Sequence, residues 1–390
     1  MKRVMILGAG SSGRGHLGQL AHAAGWELVL VDRDANLVHA LRDAGRYTVR
    51  LCRATDETTA VVDKLTAYHV SETEALVREG LEIPLLLTCL FSHNLHEVAP
   101  LVAHIISARA AAGITQPLNV ICCENMQHSS SLFQSLVLPL LSPAARAYAD
   151  RLVGFPDCMI SRVVPLATEH PLELMAEDYN EWTVDAAGFV GPPVNLPALE
   201  LVTNQEARLA RKFFMHNGAH AVCAYWGFHH GHTFIHEAVA DSAVLAHVVA
   251  AIGELAQVVA RRYGFTYEET YAYGLELGPR GAIAMLRDRI LRVVRDPLRK
   301  LSRDERFVAP AVLAIEEGDP CAELVRSIAA ALHYVHPDDP QAVAMQQQLR
   351  EEGPAQAIPA ILGVPDTHPL CPLVLEQYLV WPAVVGDSRH

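Results

Sequence analysis

The chain has 390 residues, 51% of them hydrophobic and 19% charged, with a formal net charge of −13. That length suits two or three globular domains. The acidic balance speaks against a general nucleic-acid binder, which needs clustered Lys and Arg, and leaves room for a local basic pocket around a small phosphate.

Arg3-Val4-Met5-Ile6-Leu7 reads as a buried parallel strand. It runs into Gly8-Ala9-Gly10-Ser11-Ser12-Gly13-Arg14-Gly15, then a helical pattern through Leu17, Leu20 and Ala21, then a strand from Glu27 to Val31 ending at Asp32. The order strand, G-x-G-x-x-G, helix, strand, acid is a dinucleotide fingerprint. Gly8 and Gly10 permit a tight turn and close approach to a pyrophosphate, and Gly13 lets helix and strand pack closely. Ala9 and Ser12 share that loop. The pyrophosphate is expected on the helix N-terminus, where free N–H groups and the dipole favour anions. Asp32 stands where an acid accepts both ribose hydroxyls of NAD and repels the 2′-phosphate of NADP. Arg33 next to it partly offsets that repulsion, and NAD is the expected cofactor.

Residues 35–44 read as a helix, 47–51 as a strand, and 57–70 as a small antiparallel insertion. Residues 85–90 form a buried strand ending at Phe91-Ser92-His93-Asn94, and residues 95–112 a helix. Asn119 to Cys123 is another buried strand, running into Glu124-Asn125-Met126. Such strand ends line the ligand crevice of a doubly wound sheet, so Glu124 and Asn125 are site candidates; a turn or helix cap explains them equally well. Strand-like runs follow in 153–164, 172–177 and 181–185. Residues 188–197, rich in Gly and Pro, are expected to link domain 1–195 to domain 196–390.

From residue 203 the period becomes helical. Helices are expected at 203–225 and 233–262, separated by 227–232, and then near 268–275, 282–294, 310–317, 321–333, 339–351, 354–361 and 371–379. The fold class is α/β, a Rossmann-type doubly wound sheet followed by a mostly α-helical second domain. The first long helix carries Lys212, Asn217 and His220. At α-helical pitch His220 lies about 80° and Asn217 about 140° around the axis from Lys212, so one helix can aim all three at a single cleft. His229, His230, His232 and His236 invite a metal reading, but no carboxylate or cysteine sits at a zincin-type offset and no H-E-x-x-H occurs. A histidine-rich loop is the plainer reading, and no metal is expected. Residues 296–306, with Arg299, Lys300 and Arg306, are the one dense basic stretch, either an anion pocket or a solvated loop with internal salt bridges. The eight cysteines show no C-x2-C spacing. With no signal-peptide cleavage site after residues 1–8 and no run of about 18 uninterrupted apolar residues, neither secretion nor a membrane partner is expected. A reduced, cytoplasmic protein is.

Together these pieces resemble the polyol-specific long-chain dehydrogenases. The likeness spans nearly the whole chain: the glycine loop through Arg14 and Gly15, Pro117 to Ile121 with Cys123-Glu124-Asn125-Met126, Val153-Gly154-Phe155, and Glu181-Trp182-x-Val184-Asp185. It continues in Lys212-x4-Asn217-x2-His220, Gly231-His232, Arg262-Tyr263-Gly264-Phe265, Pro297-Leu298-Arg299-Lys300-Leu301-Ser302 and Asp338 to Ala342. The resemblance implies metal-independent, NAD-dependent interconversion of a polyol and a ketose by hydride transfer. The Pro-Leu-Arg-Lys-Leu-Ser run points to the phosphate-using branch, which handles mannitol 1-phosphate and fructose 6-phosphate.

By the same resemblance Lys212 is the general acid/base. Asn217 and Asn125 hold the substrate oxygen, His220 orients a neighbouring hydroxyl, and Arg299, Lys300 and Arg306 meet the phosphate. A lysine base must be partly neutral at working pH, which calls for desolvation or nearby cations. Two segments depart from the family pattern. Arg280-Gly281-Ala282-Ile283-Ala284 stands where an Arg-Phe-x-Asn-Pro run is usual, and residues 91–94 replace a Gly-Pro-type loop. The alternatives are an unphosphorylated polyol or a uronate-like sugar acid as substrate, or a nucleotide-sensing protein without turnover.

Overall fold

The structure is a computed structural model that describes residues 2–124, 126, 128–165 and 170–384. It contains two compact units that divide after Leu209. Unit 1 opens with β1 (Arg3–Leu7), α1 (Gln19–Ala23), β2 (Glu27–Asp32), α2 (Ala35–Ala44), β3 (Tyr47–Cys52), β4 (Glu57–Val62) and β5 (Leu65–His69). It continues through α3 (Thr73–Gly80), β6 (Leu85–Thr88), α4 (Leu95–Ala111), β7 (Leu118–Cys122), α5 (Ser129–Val137), α6 (Pro143–Leu152) and β8 (Val153–Gly154). The remaining elements are β9 (Cys158–Ser161), β10 (Glu173–Glu177), β11 (Glu181–Asp185), β12 (Glu200–Val202) and α7 (Gln205–Arg211), inside which the division falls.

Six strands form one parallel sheet in the order β5-β2-β1-β6-β7-β8. Numbered by their place in the chain, these strands run 3-2-1-4-5-6, the doubly wound order, whose switch point falls between β1 and β6. The central strands are apolar on both faces because both faces are covered. Val4, Ile6, Leu28 and Leu30 pack with Leu17, Ala21 and Leu41 of the helices on one side. Met5, Val29 and Leu86 pack with Val102, Ile105 and Ile106 of α4 on the other.

Residues 57–70 do not form one antiparallel insertion. Only β4 pairs antiparallel, on β3, while β5 joins the main sheet parallel to β2, where it buries Ala67. β10 extends β3 and β4 into a second sheet, and β9, β11 and β12 make a third.

Unit 2 is helical: α8 (Ala219–His229), α9 (Ile235–Ala240), α10 (Ser242–Tyr263), α11 (Tyr267–Leu275), α12 (Leu277–Gly281) and α13 (Ile290–Val294) come first. Then follow α14 (Pro297–Lys300), α15 (Val308–Glu317), α16 (Ala322–Leu332), α17 (Pro340–Glu352), α18 (Pro354–Leu362) and α19 (Leu370–Val384). α10 is long and apolar enough to cross a membrane by composition. Its apolar face, Val244, Val248, Ile252, Leu255 and Val259, lies in the core of the unit. Its Glu254 carboxylate accepts the N–H groups of Glu323 and Leu324 at the start of α16, both at 2.8 Å. These are marks of a central helix of a globular unit.

Three helix expectations needed revision. Residues 227–232 do not all separate helices: α8 runs on through Gly227 to His229, and glycine there reflects packing, since a Cβ would fall 2.7 Å from the Ala238 Cβ. The expected helix 233–262 breaks at Asp241, which is extended and caps α10 by accepting from Ala243 and Val244 N–H. The expected helix 282–294 breaks at Arg287, whose φ of +46° is left-handed. Beyond it Phe234 and Arg289 form a β-bridge, flanked by Ile235 N–H to Asp288 O and Ile290 N–H to Thr233 O.

Candidate functional site

The glycine loop leaves β1 at the switch point. The Gly8 N–H donates to Val31 O of β2 at 2.8 Å, and the Cys89 N–H after β6 donates to Leu7 O at 2.8 Å. Gly8 has a φ of +101°, and a Cβ on it would lie 2.3 Å from Cys89 O. A Cβ on Gly13 would lie 1.9 Å from Gly8 O, so loop and helix touch backbone to backbone. Gly10 differs: a Cβ there meets nothing within 4 Å. Two of the glycines serve the loop's own packing, and the third keeps a backbone surface bare, which fits a pyrophosphate.

Gly13–Gly18 is wound as a π-helix, in which the Gln19 N–H reaches back to Arg14 O. Arg14 points inward. It is buried and donates to Ala9 O at 2.6 Å and Pro171 O at 2.5 Å, bracing the loop from beneath. Ser12 precedes the π-helix at its N-terminal cap position. Asp32 ends β2 and accepts the Asp34 N–H at 3.0 Å. Arg33 is exposed beside it. Glu124 is buried and holds the Thr88 hydroxyl at 2.9 Å and the Leu90 N–H at 2.9 Å, which fixes the loop after β6. Burial raises its carboxyl above the ordinary range, against those hydrogen bonds. Asn125 lies outside the described residues.

In unit 2 the Lys212 helix departs from the α-helical expectation. Lys212–Gly218 is a π-helix between α7 and α8. Bonding from i to i+5 sets Asn217, five residues on, about one turn above Lys212 instead of part-way round the axis. Lys212 is only 8% exposed. His220, at the start of α8, places Nε2 3.2 Å from Asp288 Oδ2, and Arg292 holds the other Asp288 oxygen at 2.7 Å. His216 places Nδ1 3.4 Å from an Arg280 nitrogen. Burial, followed by Arg280, His220 and Lys212, holds the His216 imidazole well below the usual histidine range. It is therefore neutral at pH 7. The structure thus brings Lys212, Asn217 and His220 onto one short helical stretch. It adds His216, Arg280, Asp288 and Arg292, to which sequence reasoning gave no role. Arg280 was visible only as a departure from pattern, and Asp288 carried no signal.

Desolvation pushes the Asp288 carboxyl up, but the hydrogen bonds and charges of His220 and Arg292 more than offset it, and the net shift is downward. A carboxyl with a lowered folded pKa contributes stability above its unfolded value, roughly 3.9, and loses it as pH falls through the folded value. Asp288→Asn is expected to cost about 1–3 kcal/mol at pH 7, with the difference shrinking below pH ~4. Urea midpoints across that range check this, and an equal difference at pH 7 and pH 3 would contradict it.

In the basic stretch two arginines share one carboxylate. Arg299 and Arg306 both pair with Glu305, at 3.0 and 2.9 Å. Lys300 is 4% exposed and donates from Nζ to Arg295 O. Burial, then Arg299 and Arg306, lowers its pKa to about 7. Asp296 and Glu305 pull the other way, so the charges of the stretch are partly balanced from within. The Arg306 guanidinium lies 5.1 Å from the centre of the Phe213 ring, next to Lys212 in the chain, so cluster and lysine helix are neighbours.

Residues 2–198 match the family model of the mannitol dehydrogenase Rossmann domain, and residues 206–361 match that of the mannitol dehydrogenase C-terminal domain. Among solved structures, the chain is similar to a Pseudomonas fluorescens mannitol 2-dehydrogenase in ternary complex with NAD and D-mannitol. That match has 18% identity and a TM-score of 0.76 over 98% of this chain and 92% of the other. A substrate-free D-sorbitol dehydrogenase matches at 17% identity and a TM-score of 0.82, over 98% and 93%. At these identities the structures speak for the fold, and the two family models, which together span most of the sequence, place it: the chain belongs to the mannitol dehydrogenase family.

Proposed function

We propose that the chain is an NAD-dependent, metal-independent oxidoreductase that interconverts mannitol 1-phosphate and fructose 6-phosphate, with Lys212 as general acid/base. The observation that carries this reading is the buried Lys212 π-helix with Asn217, His216 and His220, set beside the Arg299 and Arg306 pair on Glu305 and the buried Lys300. NAD, bound on the glycine loop with its ribose at Asp32, supplies or accepts the hydride. Lys212 takes the hydroxyl proton in oxidation and returns it in reduction. Asn217, with Asn125 as a further member, donates to the substrate oxygen as it gains negative charge. His220, oriented by Asp288, positions a neighbouring hydroxyl. Arg299, Lys300 and Arg306 hold the phosphate. The eight free thiols, seven of them buried, suit a reducing compartment, and we place the protein in the cytoplasm.

One observation favours a second reading, in which the substrate is an unphosphorylated polyol or a sugar acid. Glu305 already engages both arginines and weakens their field. The two readings separate in Arg299→Ala and Arg306→Met. Under the first, kcat/KM for fructose 6-phosphate falls about 10–100-fold, the loss of a charge-assisted hydrogen bond, while free fructose is little affected. An equal response of both sugars would show that the cluster is not a phosphate site.

A further inference from the structure

The histidine-rich segment after α8 plays no part in the proposed chemistry. In the fold it meets a carboxylate that the sequence places nine residues away: His230 Nδ1 lies 3.1 Å and His232 Nε2 2.9 Å from the same oxygen, Asp241 Oδ2. All three ligand-type atoms fall within 4.8 Å of one another. No carboxylate stands at a zincin-type offset from these histidines. Here the acid arrives from the break between α9 and α10.

We propose that His230, His232 and Asp241 form a three-ligand site for a first-row divalent cation of the zinc type. Imidazole nitrogen and carboxylate oxygen are ligands that such ions take, at about 2.0–2.2 Å. A tetrahedral ion with those bonds spaces its ligand atoms roughly 3.3–3.5 Å apart. The two separations from Asp241 Oδ2 therefore need to open by only a few tenths of an ångström.

The site is held from outside. Asp241 Oδ1 is engaged by the Ala243 and Val244 N–H groups at 2.8 and 3.4 Å, which fixes the carboxylate and leaves Oδ2 to the histidines. The His230 N–H donates to Trp226 O at 3.0 Å and the His232 N–H to Gly227 O at 2.9 Å, while Gly231 takes a φ of +80° between them. The His230 ring also stands edge-on to Trp226. All three side chains keep solvent access, so an ion can enter and take water as its remaining ligand.

The placement gives the ion a mechanical role. The segment it grips leads from α8, which carries His220, directly into residues 233–235. Those residues are bonded to 288–290 and so to Asp288, the partner of His220. An ion at this point ties the α8 exit to the start of α10 and braces that backbone pairing without touching the proposed reacting groups.

The test uses the full chain stripped with a chelator and titrated with Zn2+ by calorimetry, and with Co2+ by its visible d–d absorption. One ion per chain is expected to bind with a tetrahedral-type Co2+ spectrum, and Zn2+ is expected to raise the melting temperature. His232→Ala and Asp241→Asn should each weaken binding about 10–100-fold or more and abolish the thermal shift; asparagine still caps α10. The exposed control His104→Ala should bind as wild type. Metal-free His232→Ala should keep the basal dehydrogenase rate. Absence of binding to the wild type, or equal binding by wild type, His232→Ala and Asp241→Asn, would overturn the site.

Discussion

Lys212→Met is expected to lower kcat for ketose reduction about 10²- to 10⁴-fold, the usual contribution of a positioned general acid, while leaving NADH affinity unchanged. Lys212 is 8% exposed on a π-helix whose His216, one turn away, is kept neutral by burial and by the positive charge around it. Burial of an ammonium carries a desolvation cost, which favours the neutral amine that a general base requires. Methionine keeps the apolar stem and removes the charge, so folding is expected to survive. Equilibrium unfolding of the variant should show a single cooperative transition from a folded state, separating catalysis from collapse. In Lys212→Ala, partial rescue of turnover by small exogenous amines is expected, because the proton-transfer group alone is missing. Turnover near wild type in Lys212→Met would remove the lysine from the mechanism.

Gly13→Ala and Gly10→Ala are expected to differ in kind. At Gly13 the added Cβ falls 1.9 Å from Gly8 O, with no flexible side chain to give way. The helix must lift from the loop, at a cost of about 1–3 kcal/mol or more by the measure of overpacked cores. The variant should melt earlier and bind NADH more weakly. At Gly10 the added Cβ meets no protein atom within 4 Å, so stability should hold. NADH affinity should fall because the methyl group occupies the surface assigned to the pyrophosphate. Thermal melts and NADH titration of both variants check the pair. A Gly10→Ala protein with wild-type NADH affinity would move the pyrophosphate off this loop.

The nucleotide unit was legible because its signals are local. The apolar run Arg3–Leu7, the three glycines and the acid at Asp32 each report on their own few residues, and the parallel order of strands follows from their arrangement. β5 was misread because Leu65–His69 carries no apolar run, and it joins the main sheet through one long-range pairing with β2. The candidate site was half legible. Lys212, Asn217 and His220 are close in sequence, and any helix keeps them together. Their true geometry depends on a π-helical stretch that a fixed 100° step misses. Asp288 was invisible because the break at Arg287 and the bridge to Phe234 bring it to His220 from 68 residues away. Asp241 reached His230 and His232 for the same kind of reason: a capping carboxylate at a helix break has no periodic signature.

The direct measurement of the proposed reaction is NADH oxidation by the purified full chain with fructose 6-phosphate and, in parallel, with free fructose. Steady NADH consumption with fructose 6-phosphate is expected, with a higher kcat/KM for it than for fructose and mannitol 1-phosphate as the product. NADH binding without consumption across ketoses and their phosphates would contradict it, and would leave a nucleotide-binding protein that keeps the family's fold without its turnover.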